Sequence, residues 1–281
     1  VGTFLRVLSG IIFVPFLIWL ARQGRGWFLC LVLNIIVVGM WEFYRVMEAK
    51  GVEPSKKLGV TAALVLATLV YWGGPTHFLA LFLALFMMTL MVRELFRPVE
   101  KFPIYDIATT VFGVLYVGWL GLHLELLREL PREVGLAYAL GAPLVLYAFF
   151  MTWACDTGAY FTGLSIGRHR LLERVSPKKS VEGAVGGFLA SVAAAAVGRA
   201  WFLHDAAGDP LLTLPQALIL GTLVGIVSQL GDLVESLIKR DAHVKDSSDS
   251  IPGHGGILDR FDSLLFSAPV TYYFFVLVVF R

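Results

Sequence analysis

The sequence predicts an all-α, polytopic integral membrane protein with about nine transmembrane helices and a cytoplasmic N-terminus. Three observations carry that expectation. Of 281 residues, 57% are apolar and only 16% charged, whereas soluble domains run nearer roughly 45–50% apolar and about 25% charged. The charges fall in clusters separated by long uncharged stretches, and the basic clusters segregate to one side. A bilayer-spanning helix needs roughly 20 apolar residues, so nine of them take about 180 and leave no room for a separate soluble domain. The chain therefore reads as one transmembrane domain over residues 1–281.

In chain order the candidate spans are 4–21, 26–44, 58–73, 76–92, 105–122, 134–155, 183–203, 212–231 and 263–280. The first is longer than a signal-peptide core of about 7–15 residues and has no small-residue cleavage site, so it is expected to be retained. Gly74-Pro75 marks a tight turn between the third and fourth spans. Cys30 and Cys155 lie in different apolar stretches, on opposite leaflets by this topology, which excludes a disulfide between them.

Sidedness follows from the basic residues, which accumulate in cytoplasmic loops. With the N-terminus inside and nine spans, 17 of the 23 Lys and Arg residues fall on the cytoplasmic side. A net charge of +2 gives no reason to expect nucleic-acid binding. Two cytoplasmic loops are unusual, 156–183 and 232–262; the second holds eleven charged residues in 31 positions, so chemistry is expected there. Residues 1–130 read as spans without such loops, and 131–281 as the catalytic half.

If the eighth span continues as a helix, Asp232, Ser236 and Arg240 share one face, with Lys239 beside them. A carboxylate at the end of a span is costly unless it faces a polar cavity, a partner or an ion. Downstream, Lys245 and Asp246 precede Gly253-His254-Gly255-Gly256, where glycines let backbone N–H groups approach a ligand closely. Asp259 and Asp262 then open the last span, with Arg260 between them. Hard oxygen ligands of this kind suit magnesium, and carboxylates beside cations suit a metal-bound polyphosphate. In the earlier loop, Lys178, Lys179 and Ser180 stand at the start of a span, where an anion is favoured. Asp156 ends the preceding span, as a functional polar residue or a boundary. Glu42 sits in an aromatic interface cluster, Trp41 to Tyr44, and reads first as interfacial.

These residues resemble the phosphatidate cytidylyltransferases, also called CDP-diacylglycerol synthases. The family signature is matched without a gap over 27 residues: Ser236-Leu237-Ile238-Lys239-Arg240, Lys245-Asp246, Pro252-Gly253-His254-Gly255-Gly256 and Asp259-Arg260-Phe261-Asp262. A second block, Asp156 to Phe161 and Ser176 to Gly183, is also similar, although many members have Thr-Trp where this chain has Ser180-Val181. The resemblance implies that CTP and phosphatidic acid give CDP-diacylglycerol and pyrophosphate, with Mg2+ required and a second cation as an option.

It does not by itself assign every role, and the chemistry of the residues supplies the assignments expected here. Asp232 and Asp259 would hold the metal, with Asp262 and Asp246 as further ligands. Lys239, Arg240, Lys245 and Arg260 would neutralise the triphosphate and the lipid phosphate, and Lys178, Lys179 and Ser180 would contact one of them. Gly253, Gly255 and Gly256 would position the leaving pyrophosphate through N–H groups, with His254 as a donor; Asp156 and Ser236 would border the substrates. The attacking phosphate monoester is already largely ionised at neutral pH, so no general base is required. The expected location is the inner membrane with the site on the cytoplasmic side, among membrane lipids. The small residues Gly186-Gly187 and Ala193 to Ala196 suggest a homodimer. Two rivals stay open: a CTP-dependent lipid kinase, which would release CDP, and a secondary transporter, which would carry its charges at the midplane.

Overall fold

The computed structural model describes residues 2–73, 76–97, 102–205, 207–245, 247–248 and 255–281, with side chains from 12 onward except 76 and 77. Ten α-helices make up most of it: α1 Gly2–Gln23, α2 Arg25–Ala49, α3 Lys56–Tyr71, α4 Thr76–Glu94, α5 Pro103–Gly113, α6 Leu120–Glu133, α7 Gly141–Ile166, α8 Val181–Trp201, α9 Leu214–Asp241 and α10 Leu258–Phe274. A π-helical stretch, Val114–Trp119, joins α5 to α6 without a break, and another, Phe275–Val279, extends α10. One antiparallel hairpin interrupts the helices, β1 Arg170–Leu172 with β2 Ser176–Ser180.

Among the described residues, six helical segments are long and apolar enough to cross a membrane: Arg25–Ala49, Pro103–Glu133, Tyr138–Ile166, Val181–Trp201, Leu214–Asp241 and Leu258–Val279. The protein is thus an all-α, multi-pass membrane protein. Helix α3, with 16 residues, rises only about 24 Å at 1.5 Å per residue, short of a hydrocarbon core of about 30 Å.

Several helices run past the ends read from hydropathy. The span expected to stop at 122 continues to Glu133, because its polar residues are buried rather than solvated: His123, Glu125 and Arg128 are each 1% exposed or less. Likewise α7 continues past 155 to Ile166 and α9 past 231 to Asp241, so the expected loops 156–183 and 232–262 are partly helical.

The chain divides into two compact units, Val1–Leu29 with His123–Ile238 and Arg260–Arg281, and Cys30–Leu122 with Lys239–Asp259. In the first, close helix approach rests on small residues, the usual solution where apolar lipid offers no hydrophobic drive between helices. A Cβ on Gly158 of α7 would meet Ala190 and the Gly186 carbonyl of α8, and one on Gly187 would meet the Cys155 carbonyl. On α9, Gly221 faces Ala195 and Val192, and Gly231 faces the Asp262 carbonyl. Gly186, Gly187 and Ala195 therefore pack inside the chain, and this removes their support for a homodimer.

Arg128 ties three elements of the same unit. It is fully buried; Nε donates to the Ala21 carbonyl at 2.6 Å, Nη1 to the Tyr138 carbonyl at 3.3 Å, and the guanidinium stacks 4.3 Å from the Tyr138 ring. Gly24, at φ +59°, makes the turn from α1 to α2, and any Cβ there would strike the guanidinium. Arg128→Met should lower stability by about 2–5 kcal/mol, since it strands buried carbonyls. Thermal unfolding in detergent measures this, and an unchanged Tm would show that the guanidinium contributes nothing.

In the second unit, the Tyr44 hydroxyl donates to the Thr110 carbonyl at 2.9 Å, in a hollow left by Gly59 and Gly113. Asp106, in the first turn of α5, accepts the Glu53 N–H at 2.7 Å and pairs with Arg97 at 3.0 Å, which fixes the chain entering α3.

Candidate active site

The first unit holds a cavity of about 580 Å³ between the end of α7, the hairpin, the start of α8 and α9. That volume lies within the roughly 300–1,000 Å³ of ligand pockets. Asp156, Lys178, Lys179, Ser180 and Asp232 line it, five residues expected from the sequence on three separate segments. Tyr160, Arg170 and Gln229 line it too. Neither Tyr160 nor Arg170 carries a role in the sequence reading, and the folding of the hairpin brings Arg170 to the cavity.

Local folding explains how the hairpin presents its cations. Ser180 has extended backbone and caps α8, its hydroxyl accepting the Gly183 N–H at 3.1 Å. Glu182, in the first turn of α8, accepts the Arg168 N–H at 3.0 Å and pairs with His169 Nδ1 at 2.5 Å. The Val181 N–H donates to the His169 carbonyl at 2.9 Å. Glu182 thereby clamps the entry of the hairpin to the start of α8. The side chain of Val181, where many members of the resembling family carry Trp, is exposed.

Within the cavity, Lys179 Nζ lies 2.7 Å from Asp232 Oδ2. The Ser236 hydroxyl, one turn along α9, donates to Asp232 Oδ1 at 3.5 Å, so these two residues share a face. Beside this pair, Ser263 Oγ donates to Asp156 Oδ1 at 3.3 Å, and the Ser263 N–H donates to Asp262 Oδ1 at 2.6 Å. Asp262 feels the negative charges of Asp232, Glu235 and Asp156. Four carboxylates from α7, α9 and α10 thus share one low-dielectric neighbourhood, a costly arrangement that favours a cation among them. Arg170 and Lys178 hold no ion pair among the described residues and are available to an anion.

The signature segment of the second unit is organised differently. Asp259 Oδ1 pairs with Lys239 Nζ at 2.5 Å. Asp259 Oδ2 accepts the Ser247 N–H at 3.1 Å, the Ser247 hydroxyl at 2.8 Å and the Gly256 N–H at 2.8 Å. The Gly256 N–H, expected to face a phosphate, is therefore held by Asp259, and a metal on Asp259 would have to displace one of these donors. Glu42, from α2, is 2% exposed and is the residue the sequence reading underrated. It accepts the Leu258 N–H at 2.8 Å, the Ser248 hydroxyl at 2.6 Å and the Ser247 hydroxyl at 3.4 Å. A Cβ on Gly256 would run into Ser247 and Glu42, and Gly255 has φ +76°, so both signature glycines have local steric reasons. Arg240 donates to the Val244 carbonyl at 3.4 Å, closing the end of α9. Asp246, Gly253 and His254 lie outside the described residues. Lys245 follows α9 in the segment leading to Ser247, and Arg260 lies in the first turn of α10.

Among the described residues no three His, Cys, Asp or Glu side chains converge on one point as a ready-made metal site. Magnesium does not require that: it usually takes one or two carboxylates and completes its shell with substrate phosphates and water. Asp156, Asp232 and Asp262 would offer such an ion one or two oxygens, with the Lys179 ammonium giving up its place on Asp232.

Comparison with known proteins gives a consistent result. The model of the cytidylyltransferase family matches residues 4–278. A phosphatidate cytidylyltransferase of Synechocystis is 37% identical over 98% of this chain and 97% of its own length. One from Bacillus subtilis is 31% identical over 97% of both chains. One from Haemophilus influenzae is 43% identical over 50% of this chain and 48% of its own. From the fourth residue to the fourth from last, this chain belongs to the cytidylyltransferase family.

Proposed function

We propose that the protein is a CTP:phosphatidate cytidylyltransferase, a membrane nucleotidyltransferase of phospholipid biosynthesis. The observation that carries this reading is the first-unit cavity, where Asp232 and Lys179 are paired beside Arg170, Lys178 and Asp156. Relatives that share nearly the full length of the chain bear the same function in their names.

A phosphate oxygen of phosphatidic acid attacks the α-phosphorus of CTP. A new P–O bond forms, the bond to the bridging oxygen of the β-phosphate breaks, and pyrophosphate leaves with its electron pair. Both reactants are anions and repel strongly in a poorly screened cavity. Lys178, Lys179 and Arg170 offset that repulsion and orient the phosphates. Asp232 positions Lys179, and with Asp262 and Asp156 it supplies the oxygens that would hold Mg2+. When bound, Mg2+ neutralises phosphate charge and polarises the phosphorus under attack. The signature segment carries the further cations that the charge of a triphosphate calls for, Lys239, Arg240, Lys245 and Arg260. Ordering the two substrates and neutralising their charge is the main content of such a transfer.

Nine crossings with the N-terminus in the cytoplasm place the hairpin and the signature segment on the cytoplasmic side of the inner membrane. The distribution of 17 of 23 basic residues supports that topology. CTP is then reached from the cytoplasm and phosphatidic acid from the inner leaflet.

Purified protein in detergent, given CTP and phosphatidic acid, is expected to release pyrophosphate only when Mg2+ is present. Release of CDP would instead identify a lipid kinase, and absence of any turnover would remove the enzyme reading.

A further inference from the structure

The second unit contains a groove that the reaction does not use. Helices α3 and α4 pack side by side, and the start of α3 and the end of α4 border a common opening of about 1100 Å³. Its mouth carries Trp41, Lys56, Lys57 and Arg93. Below it a second compartment, of about 390 Å³, continues between the same helices and shares Leu58, Thr61, Leu85 and Thr89 with the first. The lower compartment reaches Leu69 on α3 and Phe78 on α4, and apart from Thr61 and Thr89 its lining is apolar.

The two ends of this groove want different things. Lys57 is exposed and holds no ion pair among the described residues. Lys56 Nζ lies 2.5 Å from Glu48 and 5.2 Å from the centre of the Trp41 ring. Arg93 is held by Ser55 and lies 3.3 Å from Glu94, whose carboxylate is only 5% exposed and is shared with Arg97. Lys56 and Arg93 each have a carboxylate partner and Lys57 has none among the described residues, so Lys57 is the uncompensated cation of the mouth. A tryptophan with lysines around it is the composition of a membrane interface. From Leu58 to Leu69 the helix rises about 16 Å, close to the roughly 15 Å depth of one leaflet. The groove therefore has the length of an acyl chain and the charge to match an anionic headgroup.

We propose that the α3–α4 groove is a binding site for one anionic glycerophospholipid, with its phosphate at Lys56, Lys57 and Arg93 and an acyl chain along Leu58, Leu85 and Leu69. An ordinary lipid-facing helix surface has no preference among headgroups, whereas this groove selects the negative ones. The proposal stands whether or not the transferase reading does.

The test is native mass spectrometry of the full chain in detergent, titrated with dioleoyl phosphatidylglycerol or dioleoyl phosphatidylcholine. Wild-type protein is expected to retain one phosphatidylglycerol about tenfold more tightly than phosphatidylcholine, the scale of one to two lysine–lipid attractions. Lys56→Gln/Lys57→Gln should equalise the two lipids, and Leu85→Trp, which fills the groove, should weaken both. A matching Tm for each variant confirms that the fold is intact. Equal retention of the two lipids by wild type, or an unchanged preference in the lysine variant, overturns the proposal. Repeating the titration with dioleoyl phosphatidate identifies the source of the lipid. Tighter binding than phosphatidylglycerol, with a raised KM for phosphatidate in the lysine variant, marks a store of substrate. Equal binding with an unchanged KM marks a resident membrane lipid.

Discussion

Asp232→Asn is expected to lower kcat by about 10²–10³-fold, the usual cost of removing one fixed charge from the centre of such a reaction. Asp232 is half-buried at the cavity wall, where its contacts are Lys179 at 2.7 Å and Ser236 at 3.5 Å. The amide is nearly the same size and keeps one oxygen toward Ser236, so the helix packing around Gly231 is undisturbed and Tm should hold. What is lost is the charge that keeps Lys179 in place and draws a divalent cation. Two readouts separate these parts. If Asp232 contributes to Mg2+ binding, the variant needs more Mg2+ for half-maximal pyrophosphate release. If it serves only to place Lys179, the Mg2+ requirement stays put and the loss matches that of Lys179→Met. Near-normal kcat in Asp232→Asn would remove this residue from the site altogether.

Glu42→Ala is the second large effect, and it acts far from the first unit's cavity in sequence. The buried carboxylate of Glu42 accepts three hydrogen bonds from the signature segment, at Ser247, Ser248 and Leu258. Truncation leaves the buried Leu258 N–H without this acceptor, at about 1–3 kcal/mol, and takes one acceptor from each of the Ser247 and Ser248 hydroxyls. Faster amide hydrogen exchange at 247–248 and 255–258 and a fall in kcat of about 10–100-fold are expected, because these anchored residues are then less often in their ordered form. Glu42→Gln keeps one carbonyl acceptor and should fall between wild type and alanine. Wild-type exchange in this segment, together with normal turnover in Glu42→Ala, would contradict the assignment of Glu42 as its anchor.

The sequence shows the membrane class, the helical stretches and the signature plainly, because each is written in local composition. A run such as Gly221 to Gly231 is apolar and small over three turns, and the structure uses it as an α9 packing face. Ends of elements were less legible. Polar residues such as His123, Arg128 and Asp156 look like boundaries in a hydropathy reading, but His123 packs against Tyr272 and Tyr273, Arg128 and Asp156 find hydrogen-bond partners within the fold, and the helices carry on. The hairpin was invisible for a related reason. Ser176-Pro177-Lys178-Lys179-Ser180 has no alternating pattern, and it is held by the Glu182 clamp on Arg168 and His169.

The candidate site divides in the same manner. Asp156, Lys178, Lys179 and Asp232 could be singled out because charge is rare in this chain. Arg170, Tyr160 and Gln229 could not, since only the folding of the hairpin against α7 and α9 brings them to the cavity. Glu42 is separated from Ser247 by 205 positions, a distance across which no local pattern speaks. The reading of Asp259 changes for the same reason. Its motif suggests a metal ligand, while its contacts with Lys239, Ser247 and Gly256 show a carboxylate that also holds the loop together.

Photolabelling tests the central claim most directly, the claim that nucleotide and lipid phosphates meet at the cavity bordered by α7, the hairpin and α9. A photoreactive CTP analogue is irradiated with the full protein in Mg2+ and detergent, and the labelled peptides are sequenced. Labels are predicted on peptides carrying Tyr160, Arg170 or Lys179, removed by excess CTP and diminished in Asp232→Asn. Labels confined to residues 54–96, or unaffected by CTP, would contradict the account.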